Sequence, residues 1–406
     1  MPTIHIKNIG PLADTGVIEQ TPVMLFIGKQ SSGKSTLMKI VCFCSWIEKK
    51  IMVEGEELVA KYTHYGRFIR ELKAFHRFDS LFFSDKSEIH YEGDCVKIDI
   101  KGEKNNAKIV RKSNFSTDRH NTKISFVPSE RNIVSAIKNV GKAYKSSDYD
   151  VIYNYLWEFD EAKTGFVTDK RIEMPFDKDI AYYYDPKTDR DMVYLKKLDE
   201  SIDTMYASSG VQSAMPIMVM LEYLTSIVGS NRAVSQKDIT NAIAKAVLTK
   251  DFQDGKLSDV DLSKVKQLLY YKNCKLFIEE LEQNLFPQSQ ADMVLAVVKE
   301  IKAASVITGT DSSLVMTTHS PYVLTSLNLL MKAAQAVRKD AARTTAIVNE
   351  DFILSMKYYS AYWITEDGRV EDIVDKEYGF IMGDRLDEIS DTLSEETEKL
   401  NDIIYG

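Results

Sequence analysis

The sequence predicts an α/β fold of the P-loop type: a parallel sheet carries a phosphate-binding loop, and an antiparallel β-lobe and a helical insertion are added to it. Two observations carry this. The apolar run Val23 to Ile27 leads into Gly28-x-x-x-x-Gly33-Lys34-Ser35 and then into the helix-like stretch Thr36 to Lys49, which is the strand–loop–helix order a P-loop requires. Two later apolar strands, Lys275 to Ile278 and Leu314 to Thr318, end on Glu279-Glu280 and on His319 and are each followed by a helix opening near a proline, Pro287 or Pro321. Strands alternating with helices and finishing on polar residues build a parallel sheet whose working edge is its carboxyl end.

Each element has a chemical reason. Glycines let the Gly28 to Thr36 backbone (GKQSSGKST, with Lys29, Gln30, Ser31 and Ser32 between the glycines) curl so that N–H groups and a helix N-terminus face phosphates. Lys34 reaches the β and γ phosphates of a nucleotide, and the Ser35 hydroxyl ligates magnesium. At the next strand end Glu279 suits the magnesium shell, and Glu280 suits a general base that orients a water; a solvated acidic strand end is the plainer alternative. Ser208-Ser209-Gly210, with Gln212 close behind, opens the apolar stretch Val211 to Val228 and forms a second anion cradle. A chain that already has a P-loop can use this one for another subunit's nucleotide; otherwise it is a helix cap. His319 follows a strand end beside the P-loop edge, where a histidine can contact a γ-phosphate, although a lone histidine is usually structural.

In this order, FIGKQSSGKSTLMKI, SSGVQS, IEELEQNLFP and TTHSP resemble the Walker A, shortened signature, Walker B plus D-loop and switch-histidine motifs of ABC-type ATPase heads of the OLD-like and AAA15/AAA21 group, kin to SMC-like heads. The opening IHIKNIG is similar to that group's first strand, and the resemblance covers most of the chain. It implies ATP and Mg2+ as ligands and a homodimer or higher homo-oligomer paired head-to-head, in which Gly210 and its neighbours close over ATP bound at the opposite Lys34. It also implies the role of an anti-phage defence ATPase, PARIS- or Septu-like, working with a separately encoded nuclease or toxin. Phe126 to Arg131 (FVPSER) resembles the group's IPAER segment, which implies Arg131 near the phosphates; a strand-end Pro-Ser-Glu could instead cap the helix starting near Asn132. The chain departs from the family in two places: the first Walker B acid is Glu279 where most ABC proteins carry Asp, and no Q-loop glutamine follows the first helix. The stretch beyond Pro321 lacks the Glu plus Asp-x-Asp set of a Toprim nuclease.

With 406 residues and 44% hydrophobic content, the chain can bury a large core. Cys42, Cys44, Cys95 and Cys274 lack metal-ligand spacing and read as buried positions of a reduced protein. No leader and no long apolar span is visible, so the expectation is a cytoplasmic protein without membrane contact. A net charge of −8 argues against general DNA coating. Between Lys101 and Lys145, however, eleven Lys/Arg stand against three acids. This is either a solvated basic face or a patch for nucleic acid or an acidic partner.

The domain expectation is an ATPase core over 1–50, 120–145 and 200–380, a helical and β-lobe insertion over 51–119, a helical and hairpin insertion over 146–199, and a C-terminal helix over 381–406. Helical spacing covers Glu54 to Phe78 and Asn132 to Phe159. A meander is expected over Ile89 to Tyr91, Val96 to Ile100 and Lys108 to Val110, and a hairpin from Tyr182 to Leu195. Polar helices are expected at Gln236 to Lys250 and Ser258 to Tyr271, and a short two-stranded element at Ala361 to Ile373. The rivals to a switch ATPase are a DNA-dependent repair ATPase of the SMC/RecF kind, a scaffold that binds ATP without turnover, and, weakest, a transporter subunit.

Overall fold

The computed structural model describes residues 1–54, 56–104, 106–116, 120–137, 150–230, 270–383, 386, 395–400 and 403–404. In chain order these contain β1 (Thr3–Ile9), β2 (Leu12–Asp14), β3 (Ile18–Glu19), β4 (Val23–Gly28), α1 (Lys34–Glu54), α2 (Glu56–Tyr62), α3 (Arg67–His76), β5 (Glu88–Glu92), β6 (Val96–Lys101), β7 (Lys108–Arg111) and β8 (Asn121–Val127). Next come α4 (Ile133–Ala136), α5 (Val151–Lys163), β9 (Ile172–Met174), β10 (Asp177–Asp185), β11 (Arg190–Leu195), β12 (Glu200–Asp203) and α6 (Ser209–Ile227). The last part holds β13 (Tyr271–Ile278), α7 (Pro287–Thr308), β14 (Ser313–Thr318), α8 (Pro321–Ala336), β15 (Tyr359–Ile364) and β16 (Val370–Asp372).

The central sheet has the order β16-β15-β4-β14-β13-β8, parallel throughout except for the antiparallel edge strand β16. Its inner strand β4 reads as a continuous apolar run because both faces are covered, and every residue of β4, β8 and β15 is buried. Helix α1 packs against β4, β8 and β14, and α7 packs against β13 and β14. A second sheet, β2-β1-β5-β6-β7 with β3 on β1, is antiparallel and alternates buried with half-buried or exposed residues, as in β6. A third sheet, β12-β11-β10-β9, precedes α6. The architecture is an α/β core, a mostly parallel sheet carrying a P-loop, with an antiparallel β-lobe.

Several expectations need correction. The Ala361 to Ile373 pair is not a separate element: β15 lies parallel to β4, directly beside the P-loop strand, and only β16 returns antiparallel. The opening strand belongs to the lobe, since β1 pairs with β5 over Thr3–Lys7. The Glu54 to Phe78 helix is broken by left-handed Tyr65 and Gly66, which part α2 from α3. The hairpin is the middle of a four-stranded sheet. Of the Asn132 to Phe159 helix, α4 and α5 are described and residues 138–149 lie outside the described residues; so do nearly all of both polar helices and much of the closing acidic segment. The four cysteines are buried and free. No described helix is long and apolar enough to cross a membrane.

Candidate functional site

The carboxyl ends of β4, β14, β13 and β8 bring the sequence-selected loops to one edge of the sheet. The loop after β4 is a walled cradle. Gly28 (φ 155) and Gly33 (φ 112) are left-handed, and a Cβ at Gly28 would stand 2.6 Å from the Ile364 carbonyl, one at Gly33 2.7 Å from Leu12 of the lobe. Ser31 is also left-handed. Lys29, Gln30 and Ser31 are exposed at the rim, Ser32, Gly33, Lys34 and Thr36 are buried, and Ser35 is half-buried. Lys29 pairs with Glu366. Lys34 Nζ donates to the carbonyls of Gly28 (2.9 Å) and Lys29 (2.7 Å). Burial lowers its pKa to about 8, with Glu280 and Glu282 opposing the shift.

At the end of β13, Glu279 is buried. Its Oε2 accepts from the Ser129 N–H (3.2 Å), Lys39 Nζ lies 3.8 Å from Oε1, and Oε1 has no hydrogen-bond partner. Glu280 sits in the left-handed region (φ 48), uncommon for a non-glycine, with its N–H donated to Thr317 Oγ1 (3.0 Å) and its carboxylate half-exposed. His319 Nε2 lies 3.8 Å from Glu280 Oε1. Burial lowers the His319 pKa and the charge of Lys34 lowers it further, while a hydrogen bond to the Gly28 backbone opposes both, so the ring is neutral at neutral pH. Lys34, Glu280 and His319 thus share one locale, and His319 bridges the P-loop and the acidic strand end.

Among the described residues no group of three His, Cys, Asp or Glu could hold a metal unaided. Glu279 Oε1 and, in the P-loop, Ser32 Oγ are buried oxygens without hydrogen-bond partners, and a hard cation that arrives with phosphate oxygens fits such a sparse oxygen set. The residues present therefore fit Mg2+ brought in with a nucleotide.

Ser208 and Ser209 are exposed, and Gly210 is half-buried against the Asn284 carbonyl, 3.2 Å from where its Cβ would be. Ser208 caps α6 by accepting from Val211 N–H. Gln212 does not offer its amide outward: Nε2 donates to the Thr204 (3.1 Å) and Met205 (3.0 Å) carbonyls and secures the turn before the loop. Arg131 is the largest departure from expectation. It is fully buried, and its guanidinium is taken up by the Ser213, Glu279 and Glu280 carbonyls and the Ser213 hydroxyl, so no face is left for a phosphate. The basic stretch also shrinks. Lys123 is buried against Glu158 (3.0 Å) and Lys112 pairs with Glu92 (3.1 Å), which with Arg131 removes three of the cations counted for a nucleic-acid patch.

Sequence reasoning missed Glu282, whose Oε1 takes the His319 N–H at 2.6 Å, and Thr317, which holds Glu280. The acid run through Glu282 and the paired threonines before His319 were the available signals. It also missed Gln290, which pairs with Ser320 at the start of α8.

No family model matches the chain, and no curated protein matches it. Among solved structures, an SMC head domain from Thermotoga maritima is 10% identical, over 80% of this chain and 90% of that one, with a TM-score of 0.32. An SMC head bound to the C-terminal winged-helix domain of ScpA is 8% identical over 93% and 98%, with a TM-score of 0.39. The recombination mediator RecF is 10% identical over 92% and 97%, with a TM-score of 0.37. The fold assignment stands on strand order and loop placement in this chain.

Proposed function

We propose that the chain is an ATP-binding and ATP-hydrolysing switch that pairs head-to-head around nucleotide. The observation that carries this is the convergence of Lys34, Glu280 and His319 at one sheet edge while Ser208 and Ser209 stand exposed. Lys34, freed from the Gly28 and Lys29 carbonyls, meets the β and γ phosphates, and the P-loop N–H groups and the α1 N-terminus take the remaining charge. Glu280, fixed in its left-handed turn by Thr317, orients and deprotonates the attacking water, and neutral His319 hydrogen-bonds the γ-phosphate. Ser35 and Glu279 would hold Mg2+, which neutralises charge building on the phosphates. A second copy lends Ser208, Ser209 and Gly210 across the γ-phosphate, so pairing depends on nucleotide only through those trans contacts. In the finer reading, taken from the motif resemblance, the switch regulates a separately encoded nuclease or toxin in anti-phage defence.

Sedimentation of the purified chain with and without ATP-Mg2+, alongside phosphate release, tests the reading. ATP-dependent dimers with turnover are expected. Turnover without pairing would overturn the composite site, and pairing without turnover would leave the scaffold reading. Co-purification with the product of the adjacent gene tests the effector: a nuclease-like partner is expected, and a permease would refute the finer reading.

A further inference from the structure

A buried arginine with no carboxylate partner is costly, because desolvation of a charge is repaid only by well-placed hydrogen bonds. Arg131 obtains them from two separate segments. Nε donates to the Ser213 carbonyl (2.9 Å) and Nη2 to its hydroxyl (3.2 Å), both on α6 one turn beyond Gly210. Nη1 donates to the Glu279 carbonyl (2.7 Å) and Nη2 to the Glu280 carbonyl (2.8 Å), the left-handed turn that aims the candidate base. The planar fork spans both, which a single ammonium cannot do. The backbone that carries the fork is anchored too, since Arg131's own carbonyl accepts from the buried Tyr155 hydroxyl (3.1 Å) on α5. A third tie lies nearby, where Gly210 packs on the Asn284 carbonyl of the turn after β13.

We infer that Arg131 is a positioning residue that locks the strained turn ending β13 to the helix carrying Ser208 to Gly210, so that the acid serving the chain's own nucleotide and the loop offered to a second copy shift together. In a pair, each copy's hydrolytic geometry is thereby set by the site it completes in its partner, and the two nucleotides fire in concert. The functional half of this inference rests on the switch-ATPase reading; the mechanical link does not.

The test uses the full chain and Arg131→Lys, with a fluorescent ATP analogue, phosphate release against ATP concentration, and amide hydrogen exchange without nucleotide. Analogue affinity is expected to stay within about twofold while kcat falls at least about tenfold and the ATP dependence loses its sigmoidicity. Amides in 206–214 and 278–284 should lose protection together. Affinity falling in step with kcat would make Arg131 a nucleotide contact and overturn the inference, as would loss of protection in only one segment. Absence of turnover in the unmutated protein would sink the switch reading, and hydrogen exchange alone would then decide the mechanical link. Should Arg131→Lys fail to fold, Tyr155→Phe removes only the hydroxyl that anchors the Arg131 backbone, and the same paired loss of protection is expected; unchanged exchange in both segments would refute the link.

Discussion

Two Ser- and Gly-rich turns open helices in this chain, the one before α1 and the one before α6, and they differ in what surrounds them. The first is sunk: Lys34 is folded back on two carbonyls, and both glycines are pressed by neighbouring backbone or side chain. The second is bare, with Ser208 and Ser209 exposed, no cation in the turn, and the Ser208 hydroxyl turned back to cap its own helix. A helix N-terminus supplies only a fraction of a charge, so walls and a lysine are needed to hold a nucleotide in one copy. Only the first turn has them; the second can do no more than complete a site built elsewhere.

The largest effects should come from the first turn and its neighbours. Glu280→Gln keeps the backbone and the Thr317 contact but removes the base, so phosphate release should fall about 100-fold or more while nucleotide still binds. Because closed pairs then reopen slowly, light scattering should show a persistent ATP-bound dimer; an unchanged hydrolysis rate would refute the assignment. Lys34→Ala removes the one buried cation of the cradle, and ATP affinity should drop about 100-fold in an equilibrium titration. A Kd within a factor of about three of the unmutated chain would erase the contrast between the two turns.

The second turn should respond differently. Gly210→Asp places a carboxylate where a partner's phosphate would lie, and its Cβ meets only the Asn284 carbonyl at 3.2 Å and Leu285 at 3.5 Å, a tolerable crowding. ATP should bind as before with turnover lost. Mixing that variant with Lys34→Ala leaves one intact composite site in each mixed pair, so ATP-dependent pairing should return, with about a quarter of normal turnover if the sites fire singly and far less if Arg131 makes them fire in concert. No ATP-dependent mixed pairing would mean that the second turn works in cis or not at all.

What could be read beforehand follows the kind of information a sequence holds. The P-loop, the acidic strand end and His319 were legible because apolar runs ending on chemistry-bearing residues are local patterns. The place of β15 beside β4 was not, because strand order is a long-range property that periodicity does not encode. Arg131 was drawn to the phosphates by motif resemblance, whereas its partners are main-chain carbonyls, which every residue carries and no sequence advertises. Lys123 was counted with a basic surface because its partner, Glu158, comes from a helix thirty-five positions later. In each case, local chemistry was visible and tertiary pairing was not.

A smaller effect would sharpen the comparison through pH. Burial holds Lys34 at about 8 instead of 10.5, so between pH 8 and 10.5 the unfolded chain binds more protons than the folded one. The cost of burying the charge is therefore fully present below pH 8 and is relieved as pH rises, and a nucleotide-free Lys34→Met variant should be stabilised relative to the unmutated chain chiefly at lower pH. Nucleotide binding has the opposite sign, since phosphate needs the ammonium. From pH 7.5 to 9 the charged fraction falls about eightfold, and ATP affinity should weaken by a similar factor. Calorimetry near pH 8 in buffers of different ionisation enthalpy should show proton uptake on binding. The turn before α6 has no such group, so hydrolysis defects made there should leave this pH profile of binding unmoved; a profile that shifted with Gly210→Asp would mean the two turns share one nucleotide within a single copy.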